Sequence, residues 1–145
     1  MSASSPAPVG LAIVVCDQII EDKLTNKKSI IGIFNQIAAG QFPCRHPRMA
    51  VFVSLTEGRG TCTARLRIAH DETAAVVAEL NGQIQFPDIH TVVELNFDLV
   101  GLAFPQPGLY SIEFYCDDNL ILERRFHVIQ AKQPQPPQGP PAAEL

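Results

Sequence analysis

An all-β fold is predicted for this sequence: a two-sheet antiparallel β-sandwich of about eight strands with immunoglobulin-like Greek-key links. Apolar and polar residues alternate with a period of two over several runs, most clearly in CTARLRI at 62–68. The twelve prolines and nine glycines fall between apolar runs, where they would end strands. No window keeps the three-and-four apolar spacing of a helix. These observations predict strands joined by turns.

The prediction starts from a hairpin near the end of the chain, and the other strands are arranged around it. Pro107 and Gly108 form a turn, because proline fixes φ and glycine accepts positive φ. Tyr110 then begins a strand, and in antiparallel sandwiches a tyrosine at this place can tie its hydroxyl to a loop. The chain reverses again at Asp117–Asn119 and returns as the last strand.

The 145 residues are 46% hydrophobic, which is enough for the core of one domain. We expect a disordered arm at 1–8, a sandwich domain at 9–129 and a disordered, proline-rich tail at 130–145. The tail holds P-x-x-P spacings between Pro134 and Pro140, which are typical of docking segments but also arise by chance in such tracts.

The first half of the chain predicts three elements of different character. Val9–Ile20 is a strand, and Ser29–Ala38 is a second strand in which Gly32 indicates a bulge or a close backbone approach. Gly40–Pro47 is expected to be a loop between sheets, because its two prolines remove hydrogen-bond donors.

Three later features concern which side chains face the core. A change of face near Val100–Gly101 predicts a bulge in that strand. Arg124 falls on the inward side of the last strand, so either a bulge lies at Glu123–Arg125 or the strand end is exposed. In the third strand, two sets of residues alternate and so lie on opposite faces: Met49, Val51, Val53 and Leu55 on one, and Ala50, Phe52 and Ser54 on the other.

The charge and the apolar runs limit the classes of partner. A net charge of −4 without a Lys/Arg cluster argues against nucleic acid. No apolar run approaches the length of a membrane span. Val15, rather than a small residue, precedes Cys16, so the N-terminal run does not match a lipoprotein signal. We therefore expect a cytoplasmic protein.

The cysteines contain no C-x-x-C pair, which argues against zinc or redox motifs. In a cytoplasmic protein four reduced thiols are the expectation, and a disulfide between the inward-facing Cys62 and Cys116 is the less favoured alternative. The four positions are Cys16, Cys44, Cys62 and Cys116.

Three segments together resemble a known family. They are VCDQIIED at Val15–Asp22, KKSIIGIFNQI at Lys27–Ile37 and FPCRHPRMAVFVSLTEGRG at Phe42–Gly60. The combination resembles a family of small bacterial proteins known only as a domain of unknown function, over roughly Leu11–Val128. The resemblance implies a bacterial, single-domain β protein, and it implies no activity, cofactor or site residue.

If successive strands alternate in direction, one end of the sandwich gathers unusually apolar loops around 40–47, 70–73 and 103–108. Their aromatic residues either plug the open end of the sandwich or form a surface for a protein partner, since loops at sandwich ends commonly bind. The residues predicted to contact a partner are Phe42, Arg45, His46, Phe104 and Pro105.

The opposite end gathers acidic loops, which predict a Ca²⁺ site as the alternative function, a site that would recruit a membrane or a ligand. Aspartates are also ordinary turn residues, and lysines share the same loops. A Cys–His site built from Cys44, His46 and His70 lacks further ligands and an orienting group, so we expect neither an enzyme nor a cofactor. The predicted function is a non-catalytic protein-interaction or accessory module.

Overall fold

The protein, described over residues 6–131 by a computed structural model, consists of β-strands and contains no helix in that range. The nine strands are β1 Val9–Glu21, β2 Lys28–Ile33, β3 Gln36–Ala39, β4 Cys44–Thr56, β5 Gly60–His70, β6 Val76–Phe86, β7 Val93–Phe104, β8 Gly108–Cys116 and β9 Asn119–Gln130.

The strands form two sheets, which confirms the predicted sandwich. One sheet has the order β2-β1-β4-β7 and the other the order β3-β9-β8-β5-β6. The chain changes sheets five times, from β2 to β3, β3 to β4, β4 to β5, β6 to β7 and β7 to β8, and links between sheets of this kind are usual in Greek-key sandwiches. Every pair is antiparallel except β3 with β9, which is parallel.

The count of nine strands arises because the second predicted strand, Ser29–Ala38, is broken in two. Phe34 and Asn35 carry the chain from one sheet to the other. The Phe34 N–H donates to the Val15 carbonyl of β1, and the Asn35 carbonyl accepts from the His127 N–H of β9. This short link therefore bridges the two sheets along one side of the sandwich.

The core lies between the two sheets and is built from inward-facing aliphatic and aromatic side chains. The predicted inward face of β5 is confirmed, since its alternate residues from Cys62 to Ile68 are buried. The largest fully buried side chains are Tyr110, Phe104, Phe114, Phe126, Met49, Leu55, Leu66, Ile68, Ile112, Val15, Val51 and Val53.

Both faces of β4 are buried, including Ala50, Phe52 and Ser54 on the face opposite to Met49, Val51, Val53 and Leu55. The cause is a curled hairpin. Lys28 pairs with Glu21, which lies seven residues along β1 from Val14, the partner of Phe52. In a flat sheet that offset is about 23 Å at ~3.3 Å per residue.

Instead, Lys28 Nζ lies 6.0 Å from the centre of the Phe52 ring and donates to the Glu94 carbonyl of β7 at 3.1 Å. The end of β1 and the start of β2 therefore curl back over the outer face of their own sheet. Alternation along a strand distinguishes its two faces. It does not show whether a further segment of the chain covers the face that lies away from the core.

Gly40–Pro47 is only partly a loop, because β4 begins at Cys44 and includes Pro47. Strand β4 pairs with β7 in the same register before and after Pro47, but Pro47 and Gly101 do not themselves form a pair. Gly101 has φ +66° there. The bulge predicted near Val100–Gly101 is therefore wrong for the β4–β7 pairing, because the register does not shift there. Both strands change face together at this point instead.

Neither alternative predicted for Arg124 is correct. Arg124 pairs in register with Ile112, and the register shift of the last hairpin lies at Phe114/Tyr115 instead. The guanidinium crosses the sandwich, donating to the Ile13 carbonyl at 3.2 Å and to Asn35 Oδ1 at 2.8 Å. Two of its three nitrogens are thus paired with oxygens of β1 and of the sheet-crossing link, which offsets part of the cost of an inward charge. Its Nε is buried without a hydrogen-bond partner among residues 6–131.

The predicted tyrosine tie is confirmed. The Tyr110 hydroxyl donates to the Gln106 carbonyl at 2.6 Å, and the ring is fully buried. Asp117 and Asp118 have φ of 47° and 67°, the backbone of a tight hairpin turn, so the predicted reversal at this point is also confirmed.

The predicted arm and tail fall largely outside the described residues, as do the P-x-x-P spacings between Pro134 and Pro140. Gln130, placed in the tail by the prediction, ends β9, and the Ala131 N–H donates to the Ala39 carbonyl. Residues 6–131 include no helix with the length and hydropathy of a membrane span.

Candidate partner-binding site

The first part of β4, Cys44–Arg48, has a strand on one side only among the described residues; we call it the open edge of β4. On one side it pairs with β7 from Phe104 to Val100. On the other side, the pairing of β1 with β4 ends at Cys16 and Ala50. The N–H and C=O groups that point to this side therefore have no strand partner in residues 6–131.

The open edge exists because β1 leaves β4 at a local irregularity. Asp17 and Gly32 are missing from the β1–β2 ladder, and Gly32 has φ +72°. A Cβ at Gly32 would meet the Asp17 carboxyl group, so only glycine fits beneath that side chain. The close approach predicted at Gly32 is confirmed, and it marks the bend that carries the hairpin away from β4.

A cleft of about 260 Å³ lies beside the open edge. Ile37 is buried at its base, and the rings of Phe34 and His46 lie across it with centroids 6.0 Å apart. The complete lining is Asp17, Phe34, Gln36, Ile37, Ala38 and His46. It is an apolar cleft with a carboxylate on one wall and an imidazole on another.

His46 Nε2 is buried and has no hydrogen-bond partner among residues 6–131. A buried polar atom without a partner typically costs ~1–3 kcal/mol. A group that enters the cleft and completes this hydrogen bond therefore gains more than it would at an exposed histidine. The presence of this buried atom without a partner distinguishes the cleft from the other depressions in the surface.

The five predicted contact residues lie near one another but differ in exposure. Arg45 and Pro105 are exposed, whereas Phe42 and His46 are half-buried. Phe104 is 0% exposed, and its ring packs edge-on against Tyr110 and Phe126. The Phe104 ring is therefore part of the core and offers no contact area to a partner.

Sequence reasoning missed the wall of the cleft opposite β4, formed by Phe34, Ile37 and Asp17. These residues were assigned to the first two predicted strands. Nothing in the sequence pattern showed that the second of these strands would pass from one sheet to the other. The available signal was Gly32, whose predicted irregularity lies two residues before Phe34.

The Cys–His site considered from the sequence does not have the required geometry. His70 Nδ1 accepts the N–H groups of Glu72 and Thr73, each at 3.2 Å. Nε2 therefore carries the proton and donates to the Pro107 carbonyl at 3.2 Å. Both ring nitrogens hold loops in place, and neither is free to bind a metal or to act as a base.

Two acidic residues at the opposite end of the sandwich, Asp22 and Asp88, accept hydrogen bonds within their own turns. Asp22 Oδ1 accepts the N–H groups of Leu24 and Thr25, and these bonds lower the pKa of that carboxyl group. Asp88 Oδ1 accepts the His90 N–H. Within residues 6–131, no three His, Cys, Asp or Glu side chains are grouped to hold a metal ion.

A family model for a family of unknown function, DUF6941, matches residues 11–129, which is most of the chain. The chain belongs to this family. The resemblance drawn from the three sequence segments is thereby confirmed. The family description names no activity, so the geometry above carries the functional argument.

Other comparisons add little. No curated protein matches the chain. Among solved structures, a β-glucosidase from Kluyveromyces marxianus is similar at a TM-score of 0.42 and 12% identity, over 73% of this chain. The chain spans 16% of the length of that enzyme.

Proposed function

We propose that this protein is a non-catalytic interaction module that binds an extended, acidic segment of a partner protein along the open edge of β4. The open edge itself carries the proposal. An unpaired strand edge presents N–H and C=O groups at the spacing of an extended chain, and proteins commonly bind peptides by adding them as a further strand.

The charges along the open edge favour carboxylates in the partner. Arg45 is exposed and has no ion-pair partner among residues 6–131. Arg48 lies 3.7 Å from Asp98, but these side chains are 56% and 57% exposed, and an exposed pair of this kind binds weakly. Two available arginines in a chain of net charge −4 select an acidic segment and orient it on approach.

The cleft provides the apolar part of the site. An aliphatic side chain of the partner can pack on Ile37 and Phe34, while a polar group reaches His46 Nε2. Pro47 within the edge and Pro105 close to it have backbone that is already restricted, so little entropy is lost on binding.

The proposal includes a bacterial cytoplasm as the place of action and excludes nucleic acid as the partner. The four cysteines are free thiols, which is usual in a reducing compartment. The net negative charge opposes binding to a phosphate backbone.

A random peptide library displayed on phage, selected against the full chain, tests the proposal. We expect acidic peptides to be enriched. Replacing Arg45 and His46 together with alanine should weaken their binding at least about tenfold, or ~1.4 kcal/mol. The matched control replaces Asp117 and Asp118 with alanine at the other end of the sandwich and should leave affinity unchanged.

Two results would contradict the proposal. If the control variant loses binding and the Arg45/His46 variant keeps it at an unchanged Tm, the binding surface is the opposite end. If the wild-type chain selects no peptide, Pro47 and the arginines serve only to protect an edge strand from aggregation.

A further inference from the structure

Two thiols lie in contact at the end of the sandwich away from the open edge of β4. Cys62 is near the start of β5, and Cys116 is the last residue of β8. Their sulfur atoms are 3.3 Å apart and form an S–H···S hydrogen bond. The residues are 6% and 1% exposed, so both thiols point into the core.

A surface cavity of about 290 Å³ is lined in part by Cys62 and Cys116. Arg59 and Asp117 line it together with Phe86 of β6. A small polar molecule can therefore enter next to thiols that the two sheets otherwise cover. This access distinguishes the pair from Cys16, whose thiol is buried against the Ala50 carbonyl.

We propose that Cys62 and Cys116 are a modification site at which a small hydroperoxide oxidises the two thiols to an intramolecular disulfide. The Cys62 sulfur attacks the terminal peroxide oxygen, and the O–O bond breaks. Cys62 becomes a sulfenic acid, while the remaining oxygen takes a proton and leaves as an alcohol, or as water when the oxidant is hydrogen peroxide.

The Cys116 sulfur then attacks the sulfenic sulfur, the S–S bond forms, and hydroxide leaves and takes the Cys116 proton as water. In sum, two thiols lose two electrons and two protons, and one peroxide is reduced. The more exposed Cys62 attacks first because the oxidant reaches it first.

The surroundings make these two thiols slow to react near neutral pH. Burial raises the pKa of both thiols, and the nearby Asp117 carboxylate raises them further. Since the thiolate is the attacking species, oxidation is slow near neutral pH and accelerates as the pH rises. The disulfide would connect β5 directly to β8 beside the Asp117–Asp118 turn.

Oxidation of the reduced full chain with hydrogen peroxide, followed by alkylation of the remaining thiols in denaturant and peptide mapping, tests the inference. We expect a chain lighter by two hydrogens, a Cys62–Cys116 cross-linked peptide, alkylated Cys16 and Cys44, and a higher Tm that returns to its starting value on reduction. Cys62→Ser and Cys116→Ser should each abolish the product, whereas the Cys16→Ser/Cys44→Ser double variant should retain it.

Because mapping of the wild-type chain identifies the linked cysteines directly, the test does not depend on how well a variant folds. A disulfide that involves Cys16 or Cys44 would overturn the inference. So would sulfinic acid on Cys62 without a cross-link, or four thiols that remain intact in the folded chain under conditions that oxidise the unfolded chain.

Discussion

Replacing Phe104 with alanine is expected to lower the free energy of unfolding by about 3–5 kcal/mol, as removal of a buried aromatic ring does. The ring is fully buried and makes edge-on contacts with Tyr110 and Phe126, at centroid distances of 5.1 and 5.8 Å. Its loss leaves a cavity between β7 and the aromatic side chains of Tyr110 and Phe126 in the opposite sheet. Denaturant unfolding monitored by circular dichroism measures the change.

The matched control is Pro105→Ala, one residue along the chain. Pro105 is exposed, so its replacement should change the free energy of unfolding by less than about 0.5 kcal/mol. A stable Phe104→Ala variant with weakened peptide binding would mean that the ring contacts the partner, as the sequence suggested, and does not belong to the core.

Replacing Arg124 with alanine is expected to cost about 1.5–3 kcal/mol, the range for hydrogen bonds that involve a charged group. The change removes the bonds to the Ile13 carbonyl and to Asn35 Oδ1, which tie β9 to β1 and to the link between the sheets. The carbonyl of Ile13, a buried residue, then lacks its guanidinium partner.

The control is Arg125→Ala, which removes a side chain of the same charge and length from the neighbouring position. Arg125 is 50% exposed and forms surface ion pairs with Asp71 and Glu123, so its loss should cost less than about 1 kcal/mol. Equal destabilisation by the two changes in urea unfolding would mean that Arg124 lies outside the sandwich, at the strand end.

The sequence allowed the local features of the fold to be predicted, because they depend on neighbours along the chain. The hydroxyl bond of Tyr110 follows from a turn with fixed φ that ends next to a strand. The close approach at Gly32 follows from a residue without a Cβ inside a strand. The inward face of β5 follows from alternation alone.

Features that depend on how strands meet could not be predicted. Alternation gives each strand two faces, but it does not show that the β1–β2 hairpin would cover Phe52. For the same reason, Phe104 was placed in a loop either as a plug of the sandwich end or as a partner contact, and its ring in fact packs between the sheets.

The cleft beside the open edge illustrates the same limit. His46 was singled out from the sequence, but Phe34 and Asp17 join it only because one predicted strand changes sheets and another bends away. Both events occur at positions where backbone conformation, rather than hydrophobic pattern, decides the path of the chain.

Amide hydrogen exchange of the full chain, with and without the tightest selected peptide, tests the central claim most directly. Addition of a peptide strand to the open edge should slow exchange within Cys44–Arg48 and leave the Asp117–Asn119 turn unchanged. Slowed exchange confined to that turn or to the outer face of β5, with Cys44–Arg48 unaffected, would contradict the account.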